Sequence, residues 1–203
     1  MIVLGVDPGL RVTGYGCVRT GFSKHSLVEA GVIRLSRTDK EDGGAASVSK
    51  RLVELERDFC ALLDRLCPNA VAVEAIFAHV AHPATAMIMG HARGVLLLHI
   101  AKRKLQLIEL SPRLVKKTMT GSGRAEKVQM QHAVQEYFGL SELPKPPDVA
   151  DALAIALCAA ERTRLGTSLD DSEGLEASIA AHLLKPRKSA KAKRSLPRDV
   201  LER

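Results

Sequence analysis

The segment Ile2-Val3-Leu4-Gly5-Val6-Asp7 limits what this chain can fold into more than any other. It is short, apolar and β-branched, and nothing polar interrupts it before its last residue. A strand of that kind must be covered on both faces, so it belongs in the middle of a sheet flanked by helices. Pro8-Gly9 then stops it and leaves Asp7 at its end. At 203 residues, 46% hydrophobic and 26% charged, the chain can bury one substantial core.

The following residues extend this pattern. Val12–Val18 and Leu27–Ile33 read as two more strands of an antiparallel meander. Leu52, Leu55, Phe59, Leu62, Leu63 and Leu66 recur at three- and four-residue spacing, which predicts a helix from about Ala46 to Leu66. Ala70-Val71-Ala72-Val73-Glu74 is another buried strand, and Leu105–Leu110 a fifth. Ala84–Lys104 predicts a helix that is apolar on most sides, with small residues that suit close packing in the core or across a dimer. Helices near Pro112–Met119, Ala125–Phe138 and Asp148–Arg164 complete an α/β domain, a mixed five-stranded sheet flanked by helices, over residues 1–164. Residues 165–203 turn to Ser, Asp and Glu and then to Lys, Arg and Pro. They read as a flexible basic tail with a weak amphipathic stretch near 175–184.

Net charge is +7, and eight of the basic residues lie in 185–203 against two acids, so the excess mostly describes the tail. A second cluster (Lys102, Arg103, Lys104, Arg113, Lys116, Lys117, Arg124, Lys127) could neutralise phosphates. With 3% aromatic residues and no Trp, the composition argues against a broad base-stacking platform of the single-strand type. No apolar run approaches a membrane span and no leader opens the chain, so a cytoplasmic protein without membrane contact is expected. Cys17, Cys60, Cys67 and Cys158 lack metal-binding spacing and read as reduced thiols. His79 and His82 read as surface residues of a loop.

The chemistry is carried by acids. Asp7 and Glu74 each end a central strand, and if those strands are neighbours both carboxylates leave the same sheet edge. Asp148 and Asp151 open the last helix three residues apart and share a face. Singly, each acid could be a turn former or a helix cap. Jointly they suit hard divalent cations with oxygen ligands, Mg²⁺ or Mn²⁺, and two such ions can drive phosphodiester hydrolysis.

These stretches occur together in one known family. Ile2–Gly9 with Arg11-Val12-Thr13-Gly14-Tyr15-Gly16, Val73-Glu74-Ala75-Ile76-Phe77, Gly90–Val95, Gly121–Lys127 and Asp148–Ala156 resemble, in order, the motifs of RuvC, the bacterial Holliday-junction resolvases. The resemblance covers residues 1–162. It implies a ribonuclease H-like fold and a homodimer that cuts symmetrically placed strands of a four-way DNA junction in recombination and repair. It also implies two Mg²⁺ per site, with Mn²⁺ able to substitute, held by Asp7, Glu74, Asp148 and Asp151. Lys116 and Lys127 match lysines that contact DNA near the cut phosphate, and Phe77 an aromatic that probes unstacked bases. The segment 87–98 matches the pairing helix, and a branch-migration helicase complex is an implied partner. Ala75 stands where the family commonly carries Gln or Glu, so a polar contact is absent there and sequence preference at the cut is left open. The basic tail exceeds the family core and reads as a weak DNA-binding arm.

No serine or cysteine is read as having an adjacent base to make it a covalent nucleophile, so direct hydrolysis is expected. The closest alternative is an RNA-processing nuclease of the same fold. A sugar-kinase or actin-like ATPase shares Asp7-Pro8-Gly9 and Gly14 but would need a second glycine-rich phosphate motif. A noncatalytic junction-binding module would have no use for four acids.

Overall fold

The structure is a computed structural model. It describes residues 1–36, 45–75 and 83–166. Residues 167–203 of the expected tail, Phe77 and the histidines at 79 and 82 lie outside the described residues.

The elements follow the order β1 (Ile2–Asp7), β2 (Val12–Arg19), β3 (Ser26–Arg34), α1 (Ala45–Leu66), β4 (Ala70–Glu74), α2 (Pro83–Lys102), β5 (Gln106–Leu110), α3 (Pro112–Thr120), α4 (Lys127–Phe138) and α5 (Pro147–Arg164). The five strands form one sheet in the order β3-β2-β1-β4-β5. β1 to β3 are an antiparallel meander, whereas β4 pairs parallel with β1 and β5 parallel with β4. The expected elements are therefore present, with ends moved by one or two residues. α4, for example, begins at Lys127 instead of Ala125, because the Glu126 backbone N–H is met by the Gln129 side chain at 2.8 Å.

Alternation along β1 and β4 divides the core into two layers. Leu4, Val6, Val71 and Val73 pack with Leu55, Phe59, Leu62, Leu63, Leu96 and Ile100 of α1 and α2. Val3, Ala70 and Ala72 face the other way, toward α5, which α3 and α4 cover in turn. α5 is buried along nearly its whole length and rich in alanine, so it lies close to the sheet. The strands match it with glycine. A Cβ on Gly5 would stand 2.3 Å from the Ala152 carbonyl oxygen and 2.4 Å from the Ala156 nitrogen, and one on Gly16 would meet Leu153 at 2.8 Å.

One end of α5 is pinned by a buried polar group. Gly21 donates its N–H to His25 Nδ1 at 3.2 Å, which leaves the ring proton on Nε2, 3.1 Å from Glu161 Oε1. Arg164 also donates to Glu161, at 2.7 Å. Burial would raise the Glu161 carboxyl, but the hydrogen bonds from His25 and Arg164 together hold it below the ordinary range.

Candidate active site

The register of the central strands places the acids. Val6 lies opposite Val73 in the parallel β1–β4 pair, so Asp7 and Glu74 come next at one level. Since Val6 and Val73 face α1 and α2, Asp7 and Glu74 face α5. Across the antiparallel pair Asp7 lies opposite Gly14, and Gly14 is a point of close approach to α5. A Cβ there would stand 2.2 Å from the Asp148 carbonyl oxygen and 3.1 Å from the Asp148 Cβ. Asp148 thus sits over Gly14, and Asp151 follows one turn later on the same face.

The capping alternative for this pair does not hold at the cap itself. Pro146 is the N-cap of α5, and Asp148 lies inside the first turn.

All four acids are half-buried. Asp7 is pushed up to about 7, first by burial, then by the charges of Glu74, Asp151 and Asp148. Burial, then the charge of Asp151, also raises Glu74. Burial is again the main cause for Asp151, with Asp148 adding to it. Two cations oppose the repulsion. Lys127 lowers Asp7, Glu74 and Asp151, and Lys116 lowers Glu74 and Asp151.

Both lysines are held by well-terminated helices. α3 is capped by Ser111, whose Oγ accepts from the Leu114 N–H at 3.2 Å, and ends at Gly121 in the left-handed conformation. Lys127 is the first residue of α4 and exposed.

Six of the seven expected site residues are therefore electrostatically coupled around one sheet edge; the seventh, Phe77, falls outside the described residues. Among the described residues no three His, Cys, Asp or Glu side chains stand in a finished metal cage. An ion would have to draw the carboxylates together. The donor set still fits a hard divalent cation, being all carboxylate and short of positive charge.

Two features escaped the sequence reading. Gly14 was read within a strand, and its contact with Asp148 arises only when α5 docks. The expectation that no cysteine has a neighbouring base is also corrected. Cys60 Sγ lies 3.2 Å from His99 Nδ1, on the face of the sheet away from the acids, because α1 and α2 pack side by side. A separation of 39 residues hides that contact in the sequence.

Beyond the acids, α2 carries an exposed apolar face. One side of α2 buries Ala92, Leu96 and Ile100, while Met87, Ile88 and Leu98 are exposed and Gly90 and Gly94 face open space.

The sequence profile of the family described as "Crossover junction endodeoxyribonuclease RuvC" matches residues 3–159. The chain is similar to a protein of that name from Caldicellulosiruptor saccharolyticus, with 40% identity over 159 residues, 78% of this chain and 91% of the relative. It is also 41% identical over 157 residues to the protein of that name from Legionella pneumophila strain Philadelphia 1, covering 77% and 85% of the two chains. Among solved structures, the fold resembles Thermus thermophilus RuvC in complex with a Holliday junction substrate. There the TM-score is 0.70 and identity 29%, over 82% of this chain and 98% of that one. The yeast mitochondrial Holliday junction resolvase Ydc2 shares the fold at a TM-score of 0.58 and 18% identity, over 89% and 82% of the two chains.

Proposed function

This chain belongs to the RuvC family of crossover junction endodeoxyribonucleases, and from that premise we propose that its coupled acids are the hydrolytic centre with which it resolves four-way DNA junctions. It is a nuclease with a ribonuclease H-like fold acting in recombination and repair. Nothing in the comparisons supports the RNA-processing alternative. The observation that carries the assignment of the site is the gathering of half-buried acids at one sheet edge, where burial first, and then the charges of Glu74, Asp151 and Asp148, raises Asp7 to about 7. A fold tolerates such a cluster when a ligand of opposite charge repays it.

Asp7, Glu74, Asp148 and Asp151 would hold divalent metal, Mg²⁺ in two copies with Mn²⁺ as a substitute. Bound there, the metal supplies Lewis-acid activation of water and stabilisation of the leaving oxygen. The protein's own part is orientation and charge. β1 and β4 present two carboxylates at one level, and α5, seated on Gly14, presents the other two. Lys116 and Lys127 offset the negative charge that grows on the phosphoryl group. With Ala75 beside Glu74, no polar side chain at that position reads the DNA. Phe77 would meet unstacked bases at the crossover.

The exposed face of α2 supports a homodimer in which two such sites, related by a twofold axis, match the symmetry of the branched substrate. A branch-migration helicase is the expected working partner. No described helix is long and apolar enough to cross a membrane, and a cytoplasmic setting fits DNA as the substrate. We assign residues 1–164 to the nuclease domain and 165–203 to a basic arm with weak DNA contact.

The test is strand cleavage with Mg²⁺ on a mobile four-way junction beside linear duplex, single strands and structured RNA. Paired, symmetric nicks confined to the junction are expected. Cleavage of RNA with junctions untouched overturns the substrate. Tight junction binding without cutting overturns the acids as a working centre.

A further inference from the structure

A second group of ionisable and nucleophilic side chains lies between α1 and α2, on the opposite side of the sheet from the acids. Its members are Cys60, His99, Glu56, Arg103 and Asp64. Cys60 Sγ is 3.2 Å from His99 Nδ1, and His99 Nε2 is 2.7 Å from Glu56 Oε1. Arg103, one turn beyond His99, places its guanidinium 3.6 Å from the sulfur and 3.3 Å from His99 Nδ1, and Asp64 holds that guanidinium at 2.9 Å.

The tautomer follows from these partners. An arginine can only donate, so Nδ1, which it faces, is the acceptor nitrogen of the ring. The ring proton is then on Nε2 and is donated to Glu56. The lone pair of Nδ1 is shared between the Arg103 N–H at 3.3 Å and the Cys60 thiol at 3.2 Å. Thiol, imidazole and carboxylate in this order form the arrangement that activates a nucleophile, and a cation beside the sulfur stabilises the thiolate. The His99 side chain is only 8% exposed, so the ring is held in place, while Glu56 is 47% exposed and Cys60 half-buried, so the group lies at the edge of the core.

We propose that Cys60 is a modification site, a thiol activated by His99 that hydrogen peroxide oxidises to a sulfenic acid. His99 Nδ1 takes the proton from Sγ. The sulfur electron pair then attacks one peroxide oxygen, and the S–O bond forms as the O–O bond breaks. The departing hydroxide takes the proton back from His99 and leaves as water. Sulfur is oxidised by two electrons and the peroxide is reduced, giving Cys–SOH and one water. The chain contains its own control. Cys67 is exposed, yet its thiol donates only 3.1 Å away to the Asp64 carbonyl oxygen, a neutral acceptor unsuited to taking a proton. Exposure alone therefore selects Cys67, and the cluster selects Cys60.

The experiment is a short peroxide pulse on the full chain, with sulfenic acid trapped by a 1,3-diketone and each cysteine peptide quantified by mass spectrometry. A parallel iodoacetamide pulse from pH 5 to 9 reads thiol reactivity directly. Cys60 should react at least about tenfold faster than Cys67 and keep its lead toward lower pH. His99→Gln should bring Cys60 down to the level of Cys67. Glu56→Gln, at an exposed side chain, should lower the rate in part without moving the melting temperature. The proposal is overturned if Cys67 labels first, if the two cysteines share one pH profile, or if both variants keep the full Cys60 rate. Should His99→Gln fail to fold, Glu56→Gln and the pH profile of the unaltered protein decide the matter.

Discussion

The two faces of the sheet are built from the same strands by opposite means. Toward α1 and α2, β1 and β4 present Leu4, Val6, Val71 and Val73 to Phe59, Leu55 and Leu96, a layer of large side chains that interlock. Toward α5 they present Gly5, Ala70 and Ala72, and α5 answers with alanines, so backbone lies almost on backbone. The first face removes much apolar surface from water and supplies stability. The second removes less per residue but sets the distance from strand to helix closely, since a glycine or alanine contact has no rotamer to adjust. Four acids meet on that second face. Stability and positional accuracy are thereby assigned to different sides of one sheet, and substitutions on the two sides should fail differently.

The largest effect belongs to the charged end of the close-packed face. Asp7→Asn should lower junction cutting by about 10³-fold or more, beyond the loss from removing one transition-state donor, while junction binding persists. The same change should make the metal-free protein more stable at pH 8. The folded state holds Asp7 near 7 against 3.8 for the free side chain, so between those values it binds more protons than the unfolded chain. Stability must then fall as pH rises through that window, and Asn removes this loss. Thermal melts at pH 5 and 8 with and without Mg²⁺ check the sign; a variant less stable at pH 8 would refute the repulsion.

On the other face, Phe59→Ala should cost about 3–5 kcal/mol of unfolding free energy, read by denaturant titration. Its cutting rate per folded molecule should stay within about twofold of the unaltered protein, since the cavity lies across the sheet from the acids.

Gly14→Ala is the sharper test of the contrast. The added methyl meets Asp148 backbone at 2.2 Å, so α5 must move away from β2. Displacement on the order of an ångström should lower cutting about 10²-fold. The stability cost should be only about 1–3 kcal/mol, less than for Phe59→Ala. A variant that loses stability and keeps its cutting rate would dissolve the distinction between the faces.

The smallest effect is expected at the far end of α5. Glu161→Gln should cost about 1–3 kcal/mol at pH 7 and leave cutting unchanged. The native carboxyl sits below its ordinary range, so its contribution is present at neutral pH and lost as pH falls through the folded value. The variant should accordingly show a shallower acid limb in its unfolding curve.

The strands and helices were legible because burial on two faces and the helical period each leave a local mark, as in Ile2–Asp7 and the Leu52–Leu66 stripe. The acids were legible through their places at element ends. What local pattern could not carry is who lies across from whom. Gly14 is informative only with Asp148 above it, and Cys60 only with His99 beside it; each contact joins residues that nothing in their immediate neighbours connects. The buried pairing of His25 with Glu161 is of the same kind. Phe77 keeps its expected role on resemblance alone.

The parallel pairing of β1 with β4, and the seating of α5 on β1 and β2, also govern when this enzyme can come into being. A chain emerging from the ribosome can close the β1–β3 meander early, because those contacts are local. Asp7 is among the first residues made, but Glu74 arrives some way later and Asp148 and Asp151 nearly at the end of the domain. If the four acids form the proposed centre, its earliest member waits for its latest, and the centre has no half-built form before α5 docks.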